Sequence, residues 1–245
     1  MIKVTVIVGS NRKGSNTEFA CRELIQTMES LANYSLDIEF KLLSKCYMEF
    51  CVGCNNCFLT GKCTLNDDIE TIKLDMLNSD IIIWATPVYC FNVTGVMKNF
   101  IDRVTYWTHL FGLAGKYSVI VTTTSQSGSI YVCEYLKSIL QYMGSTILGY
   151  CNFCVDQPNE LFDEKLRNDI LKTNVEKILK NMEIGHQVTP IQEIIFQNIK
   201  KGMDNQVNKS SKTSLMNAEA QYWKSTGLLT SSTYRDYLIT KNLMR

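Results

Sequence analysis

Short apolar runs alternate with amphipathic segments along the first two-thirds of the chain. Runs of β-branched and other apolar residues predict five strands, at Lys3–Gly9, Leu36–Leu43, Asp80–Ala85, Lys116–Thr123 and Thr146–Cys151. Apolar residues at helical spacing predict helices between them, at Thr17–Ala32, Asp67–Leu77, Gly95–Trp107 and Ile130–Met143. Strands and helices that alternate in this way build a parallel sheet with right-handed crossovers.

The predicted fold class is therefore α/β, with a five-stranded parallel sheet and helices on both faces. The natural strand order is the doubly wound, flavodoxin-like order 2-1-3-4-5, in which a ligand binds at the carboxyl ends of the first and third strands. We assign residues 1–155 to this domain and place a Cys-rich loop at residues 46–66.

The pattern changes after Asp156, and we assign residues 156–245 to a helical C-terminal extension. Its predicted helices lie at Asn159–Met182, from Thr189 to Gly202, at Ala218–Tyr222 and at Tyr234–Lys241. Residues Asp204–Thr213 are polar and predict a linker.

Composition and charge exclude several classes of protein. The net charge of +1 argues against a strongly basic nucleic-acid binder. The sequence has no run of about 18 apolar residues, so we expect no membrane span. The N-terminal sequence lacks the apolar run of a signal peptide, so we expect a cytoplasmic protein. Ten cysteines in such a protein are expected to be ligands or small core residues rather than disulfides.

A polar loop between the first strand and the first helix is suited to a phosphate. The segment GSNRKGSNT, residues 9–17, offers hydroxyl donors, backbone N–H groups at a helix N-terminus and two positive charges. It matches neither a Walker loop nor a GxGxxG fingerprint. An ordinary capped helix with a flexible turn is the alternative.

A second loop follows the third strand, and together the two loops resemble a known family. The segment TPVYCFNVTGVMKNFIDR, residues 86–103, and the first loop are similar to those of the NAD(P)H-dependent FMN reductase group of flavodoxin-like proteins. The resemblance implies that the first loop holds the FMN phosphate and that the second lines the isoalloxazine ring and the ribityl chain. The first set is Ser10, Arg12, Ser15, Asn16 and Thr17, and the second is Pro87, Val88, Tyr89, Cys90, Phe91 and Asn92.

The same resemblance implies two further features. The helix signature formed by Gly95, Met97, Lys98, Phe100, Asp102 and Arg103 is expected to fix the second loop and an oligomer contact. A third loop after the fourth strand is expected to touch the cofactor through Ser125, Gln126, Ser127 and Gly128, although it lacks the paired glycines of many relatives. An ordinary strand-to-helix turn is the alternative there.

Four cysteines, Cys51, Cys54, Cys57 and Cys63, fall within thirteen residues. Two x2 spacings allow three thiolates to converge, and the fourth closes the site, as in iron–sulfur proteins. The motif and the Asp67-Asp68 pair after it resemble those of the iron–sulfur flavoproteins, a branch of the same family. We interpret the two aspartates as helix N-cap and first-turn charges. A [4Fe–4S] cluster, a structural zinc ion and a cluster-free loop remain open as alternatives.

These patterns predict an FMN-dependent oxidoreductase or electron-transfer flavoprotein. Electrons would pass between a [4Fe–4S] cluster and FMN, from NAD(P)H or a ferredoxin to a small-molecule or protein acceptor. A cluster-free NAD(P)H:FMN or quinone reductase is one alternative, and a non-enzymatic flavin- or metal-binding sensor module is another. The resemblance also implies a homodimer or homotetramer. We assign no catalytic nucleophile, because the cofactor supplies the chemistry.

Overall fold

The computed structural model describes residues 1–32, 34–155, 164–210 and 217–244. Its sheet has five parallel strands in the order β2-β1-β3-β4-β5, which confirms the predicted topology. The strands are β1 (Ile2–Val8), β2 (Leu36–Leu42), β3 (Ile81–Pro87), β4 (Tyr117–Thr124) and β5 (Thr146–Cys154).

Ten α-helices are present in the described ranges. They are α1 (Asn16–Leu31), α2 (Asn56–Thr60), α3 (Ile69–Asn78), α4 (Gly95–Val104), α5 (Trp107–Leu110), α6 (Ser129–Tyr142), α7 (Glu164–Ile184), α8 (Pro190–Ser210), α9 (Ala218–Thr226) and α10 (Tyr234–Thr240). The helix predicted at Gly95–Trp107 is thus two helices, interrupted at Thr105 and Tyr106. None of the helices in these ranges is long and apolar enough to cross a membrane.

Alternate residues of the central strands supply two separate cores. In β3, Ile81 and Ile83 pack with α1, whereas Ile82 and Trp84 pack with the helices on the other face. All four side chains are fully buried, as expected for a parallel strand covered on both faces. The continuous apolar run in the sequence therefore reflects burial on two sides.

The C-terminal segment shares both cores. Helix α7 contributes Leu171 and Val175 to the core that contains α1, and α8 to α10 contribute to the opposite core. There the ring of Phe196 stacks on Trp223, with ring centroids 5.4 Å apart. Residue 155 therefore marks the end of the sheet and not the end of a core, and the division into a domain and an extension stays a prediction.

The linker predicted at Asp204–Thr213 is wrong for Asp204–Ser210, because α8 continues to Ser210. Met203 and Val207 pack against the core, so an apolar stripe extends the helix through polar sequence. The remaining linker residues, 211–213, and the predicted helix start at Asn159 lie outside the described residues.

Candidate functional site

The first loop is organised by the N-terminus of α1. Ser15 is the N-cap, and its hydroxyl accepts a 3.1 Å hydrogen bond from the N–H of Glu18. The Ser10 hydroxyl oxygen accepts a bond from the N–H of Arg12 at 3.3 Å, and Gly14 has a φ of 60°. The loop thus wraps around a helix end whose free N–H groups and dipole favour an anion.

A cavity of about 240 Å³ opens at the carboxyl ends of β1, β3 and β4. It lies where a doubly wound sheet is expected to bind its ligand. Nine predicted residues line it together: Ser10, Arg12, Ser15, Asn16, Thr17, Pro87, Val88, Tyr89 and Ser125. Three loops that are distant in sequence therefore meet at one cavity, and its lining includes both polar and apolar residues.

Three further residues line the same cavity and were absent from the predicted set: Thr123, Thr124 and Val155. The buried hydroxyls of Thr123 and Thr17 are 2.6 Å apart and join the end of β4 to the first turn of α1. Thr123 and Thr124 are the last residues of β4, directly before the predicted third loop, so their position at the end of a buried strand could have identified them.

Six predicted residues lie beside this cavity without lining it: Cys90, Phe91, Asn92, Gln126, Ser127 and Gly128. Tyr89 and Asn92 exchange backbone hydrogen bonds of 2.9 and 3.0 Å, which close a tight turn. Its central residues, Cys90 and Phe91, have φ values of 51° and 61°. Non-glycine residues in this conformation are strained and concentrate at functional sites.

Gly128 joins the third loop to the second. Its φ is 96°, and a Cβ at this position would lie 2.8 Å from Cγ1 of Val88 and 3.2 Å from Cδ1 of Phe91. The ring of Phe91 also meets Tyr131 edge-on, with centroids 5.8 Å apart. The strained turn is therefore held in place by α6 and the glycine before it, without the paired glycines of many relatives.

The four clustered cysteines line a second cavity, of about 150 Å³, together with Arg103. Cys51 and Cys54 are exposed, and Cys57 and Cys63 are half-buried. A cavity needs only about 10–15 Å³ to hold one water molecule, so this space accommodates a group of several atoms. Across the described ranges, no three His, Cys, Asp or Glu side chains converge closely enough for a single metal ion.

The thiols of this cavity differ in their environments. Hydrogen bonds from the backbone N–H of Asn56 and from the Thr64 hydroxyl lower the pKa of the Cys54 thiol. Burial raises the pKa of the Cys57 thiol. The thiolate form, which binds metals, is therefore favoured at Cys54. At Cys57 it is disfavoured until a cation compensates for the burial.

The interpretation of Asp67 and Asp68 as helix N-cap and first-turn charges is right in position for Asp68 but misses the main partner of each side chain. Asp68 occupies the N-cap of α3, but its side chain makes no capping bond and accepts from the N–H of Tyr47 at 2.7 Å. Asp67 accepts a 3.2 Å bond from the N–H of Ile69, yet its main partner is the buried guanidinium of Arg103. A partner 36 residues away could not be seen in local sequence.

Helix α4 connects the two cavities. At its N-terminus, the hydroxyl of Thr94 donates a 2.6 Å hydrogen bond to the carbonyl oxygen of Gly9, directly before the first loop. Further along the helix, Asn99 and Arg103 donate to the carbonyl oxygen of Glu49, at 3.3 and 2.7 Å. At 1.5 Å per residue, roughly 14 Å of helix separates Thr94 from Arg103. Helix α4 thus contacts both loops, and of the signature residues Arg103 makes one of these contacts.

The fold and the first cavity define a flavodoxin-like protein with a polar loop at the end of its first strand. Residues 2–160 match the model of the NADPH-dependent FMN reductase family. The chain belongs to that family, in its iron–sulfur flavoprotein branch. It is therefore an FMN-dependent oxidoreductase by family, which confirms the class and the flavin predicted from the sequence.

Two curated relatives and one solved structure define the extent of this similarity. The chain is 28% identical to an iron–sulfur flavoprotein of Archaeoglobus fulgidus over 235 residues, which cover 93% of this chain and all of the relative. It is 30% identical to an iron–sulfur flavoprotein of Clostridioides difficile over 172 residues, covering 70% of this chain and 76% of the relative. The apo form of an NADH:FMN oxidoreductase shares the fold at a TM-score of 0.56 and 18% identity, covering 78% of this chain and 94% of that chain.

Proposed function

We propose that the protein transfers electrons between FMN in the first cavity and a [4Fe–4S] cluster held by Cys51, Cys54, Cys57 and Cys63. The observation that carries this proposal is that all four cysteines line one cavity, and that α4 braces both this cavity and the flavin loops. Two cofactor sites on one helix provide a short, fixed path between them.

The residues of the first cavity fit FMN. The N-terminus of α1 and the side chains of Ser10, Arg12 and Ser15 offer donors and charge to a phosphate group. Pro87, Val88 and Tyr89 offer an apolar wall to a planar ring. FMN supplies hydride or single-electron transfer when it is bound, and the protein sets its position and its potential.

The second cavity fits a cluster better than a zinc ion. Four thiolates that bind one zinc ion must approach a common centre. Here they surround a space large enough for several atoms, and none of the described acidic, histidine or cysteine side chains forms a single-ion set. Thiolates that bind different irons of a cluster need not share one centre. A cluster there would supply single-electron transfer to and from a donor such as ferredoxin.

A cluster-free NAD(P)H:FMN or quinone reductase is the second candidate. The family description favours it, since that description names NADPH and FMN and no cluster. Under this candidate the cysteine loop would be structural, and NADPH would reduce FMN directly.

We also propose a homodimer or homotetramer in which the cysteine loop meets a second copy. Apolar side chains are exposed around that loop: Tyr47 at 63%, Phe50 at 78%, Val52 at 67% and Leu59 at 60%. Apolar patches of this kind mark interaction surfaces. Cluster and flavin could then also face each other across subunits.

A reducing cytoplasm is the compartment we propose. All ten cysteines are free thiols, including the exposed Cys51 and Cys54. Such thiols persist where disulfides are kept reduced, and a cluster also needs low oxygen.

Anaerobic purification followed by a visible spectrum and by assays of iron, sulfide and zinc tests this function. We expect flavin bands together with about four irons and four sulfides for each chain, from the composition of the cluster. Cys57→Ser should lose iron and sulfide while it retains flavin. The matched control is Cys154→Ser, because Cys154 is exposed but lies outside the cavity.

The outcomes separate the candidates. Flavin without iron and sulfide would exclude the cluster and leave the cluster-free reductase as the remaining candidate. Rapid bleaching of the flavin by NADPH would support that candidate. Reduction by ferredoxin in an iron-loaded protein would support electron relay. Absence of flavin after reconstitution with FMN would contradict both candidates.

A further inference from the structure

The guanidinium of Arg103 lies between the buried carboxylate of Asp67 and the sulfur of Cys63. Nη1 donates to the carbonyl oxygen of Glu49 at 2.7 Å and to Oδ2 of Asp67. Nη2 donates to Oδ1 of Asp67 at 3.0 Å and to Sγ of Cys63 at 3.4 Å. Arg103 therefore holds one of the four clustered thiols by a charged hydrogen bond.

The position of this guanidinium is fixed from several sides. The side chains of Arg103 and Asp67 are each only 1% exposed, and they form a two-bond fork. Burial opposes the charge of Asp67, but its bonds from Arg103 and from two backbone N–H groups hold the pKa of that carboxyl below its usual range. Asp67 thus keeps its charge and orients Arg103 towards Cys63.

One donor of Arg103 is left over. Arginine carries five N–H donors, and four of them have the partners named above. The fifth, on Nε, is buried and has no hydrogen-bond partner among the described residues. A buried donor without an acceptor is costly, and Arg103 lines the cysteine cavity, so a bound group that supplied an acceptor there would relieve this cost. The sulfide ions of a cluster are acceptors of this kind.

We infer that Arg103 is a positioning residue that sets the reduction potential of the metal cluster through its hydrogen bond to Sγ of Cys63, with Asp67 as its anchor. This inference rests on the proposed function, because it needs a cluster at the four cysteines. A residue that only held the helix signature in place would have no such effect on the reduction potential.

The direction of the effect follows from charge. When the cluster takes up one electron, negative charge spreads onto the ligating sulfurs. A cationic donor at Cys63 stabilises that reduced state, so it makes reduction easier. Loss of the bond should move the potential to a more negative value.

The test is an anaerobic redox titration of the purified holoprotein, followed by electron paramagnetic resonance. Arg103→Lys keeps the positive charge next to Asp67, but a single ammonium group cannot also serve the sulfur of Cys63. The matched control is Lys98→Arg, which also exchanges one cation for another on the same helix, at an exposed side chain that pairs with Asp102. We expect a negative shift in Arg103→Lys at unchanged iron content, and a clearly smaller shift in Lys98→Arg.

Two results would overturn the inference while the proposed function stands: an iron-loaded Arg103→Lys protein with the wild-type potential, or an equal shift in Lys98→Arg. Wild-type protein without iron and sulfide would overturn both proposals. A second measurement applies if Arg103→Lys fails to fold. In wild-type protein made with ¹⁵N-arginine, electron–nuclear double resonance of the reduced cluster should detect a nearby arginine nitrogen, and its absence would contradict the inference.

Discussion

The phenol of Tyr234 donates a 2.7 Å hydrogen bond to the carbonyl oxygen of Gly144, 90 residues earlier in the chain. Both groups are buried, and burial raises the pKa of Tyr234 well above its ordinary value. Gly144 has a φ of 82°, and a Cβ there would lie 2.5 Å from the phenol oxygen. The last helix of the chain is thus joined to the turn that leads into β5.

Replacing Tyr234 with Phe should lower the free energy of unfolding by about 1–3 kcal/mol. The change keeps the ring in its aromatic cluster but leaves the carbonyl of Gly144 buried without this donor. Urea unfolding measures the loss. The control is Tyr142→Phe, because Tyr142 is 45% exposed and should change stability by less than about 0.5 kcal/mol. Equal stability of the two variants would show that the bond adds nothing.

Gly9→Ala should weaken FMN binding and lower stability by about 1–3 kcal/mol, the usual cost of overpacking. A Cβ on Gly9 would lie 2.6 Å from Cβ of Met97, a position that cannot move without α4. Gly95→Ala is the matched control, since a Cβ there meets nothing within 4 Å. Fluorescence quenching of FMN gives the affinity. Similar affinities in both variants would mean that the spacing between β1 and α4 does not matter to the flavin.

Thr94→Val should cost about 1 kcal/mol in stability, with a loss of FMN affinity as well. The Thr94 hydroxyl accepts from the N–H of Met97 as the N-cap of α4 and donates to the carbonyl oxygen of Gly9. Valine keeps the shape and removes both bonds. Thr94→Ser retains the hydroxyl and should keep most of the stability and FMN affinity that Thr94→Val loses. Thermal unfolding with and without FMN distinguishes the two effects, and a serine variant as impaired as valine would refute the hydroxyl argument.

Protonation of His186 should destabilise the fold below about pH 6.5, the ordinary pKa of histidine. Burial and the charge of Lys116 lower the pKa of this histidine, whose ring stacks on Tyr117 at 4.1 Å. The unfolded chain therefore takes up the proton before the folded one, and stability falls as the pH drops from 6.5 towards the folded pKa.

We expect the urea midpoint to fall less between pH 7.5 and 5.5 in His186→Phe than in the wild type. Phenylalanine keeps the stacking on Tyr117, although it loses the contact of His186 Nδ1 with the Thr146 hydroxyl. That loss lowers stability at both pH values, so only the change in urea midpoint between the two pH values reports the protonation of His186. An equal fall of the urea midpoint in the two proteins between these pH values would show that His186 does not titrate in this range.

Much of the fold followed from local pattern. The β-branched runs at Lys3–Gly9 and Asp80–Ala85 predicted the buried strands, because a parallel strand covered on both faces must be apolar throughout. The strand order then fixed the edge at which the loops meet, so nine of the fifteen predicted flavin residues line one cavity. Where polar residues overlie an apolar stripe, as at Asp204–Ser210, the local pattern was misleading.

The sequence by itself determined the elements, the positions of the candidate cofactor loops and the residue types that could bind a phosphate or a metal, since these depend on spacing along the chain. Only the tertiary structure decided which distant groups meet. Asp67 reads locally as a helix-capping residue, but folding pairs it with Arg103 and brings that arginine to Cys63. Such contacts depend on how helices pack across a sheet, and that packing sums many weak interactions that no short window of sequence contains.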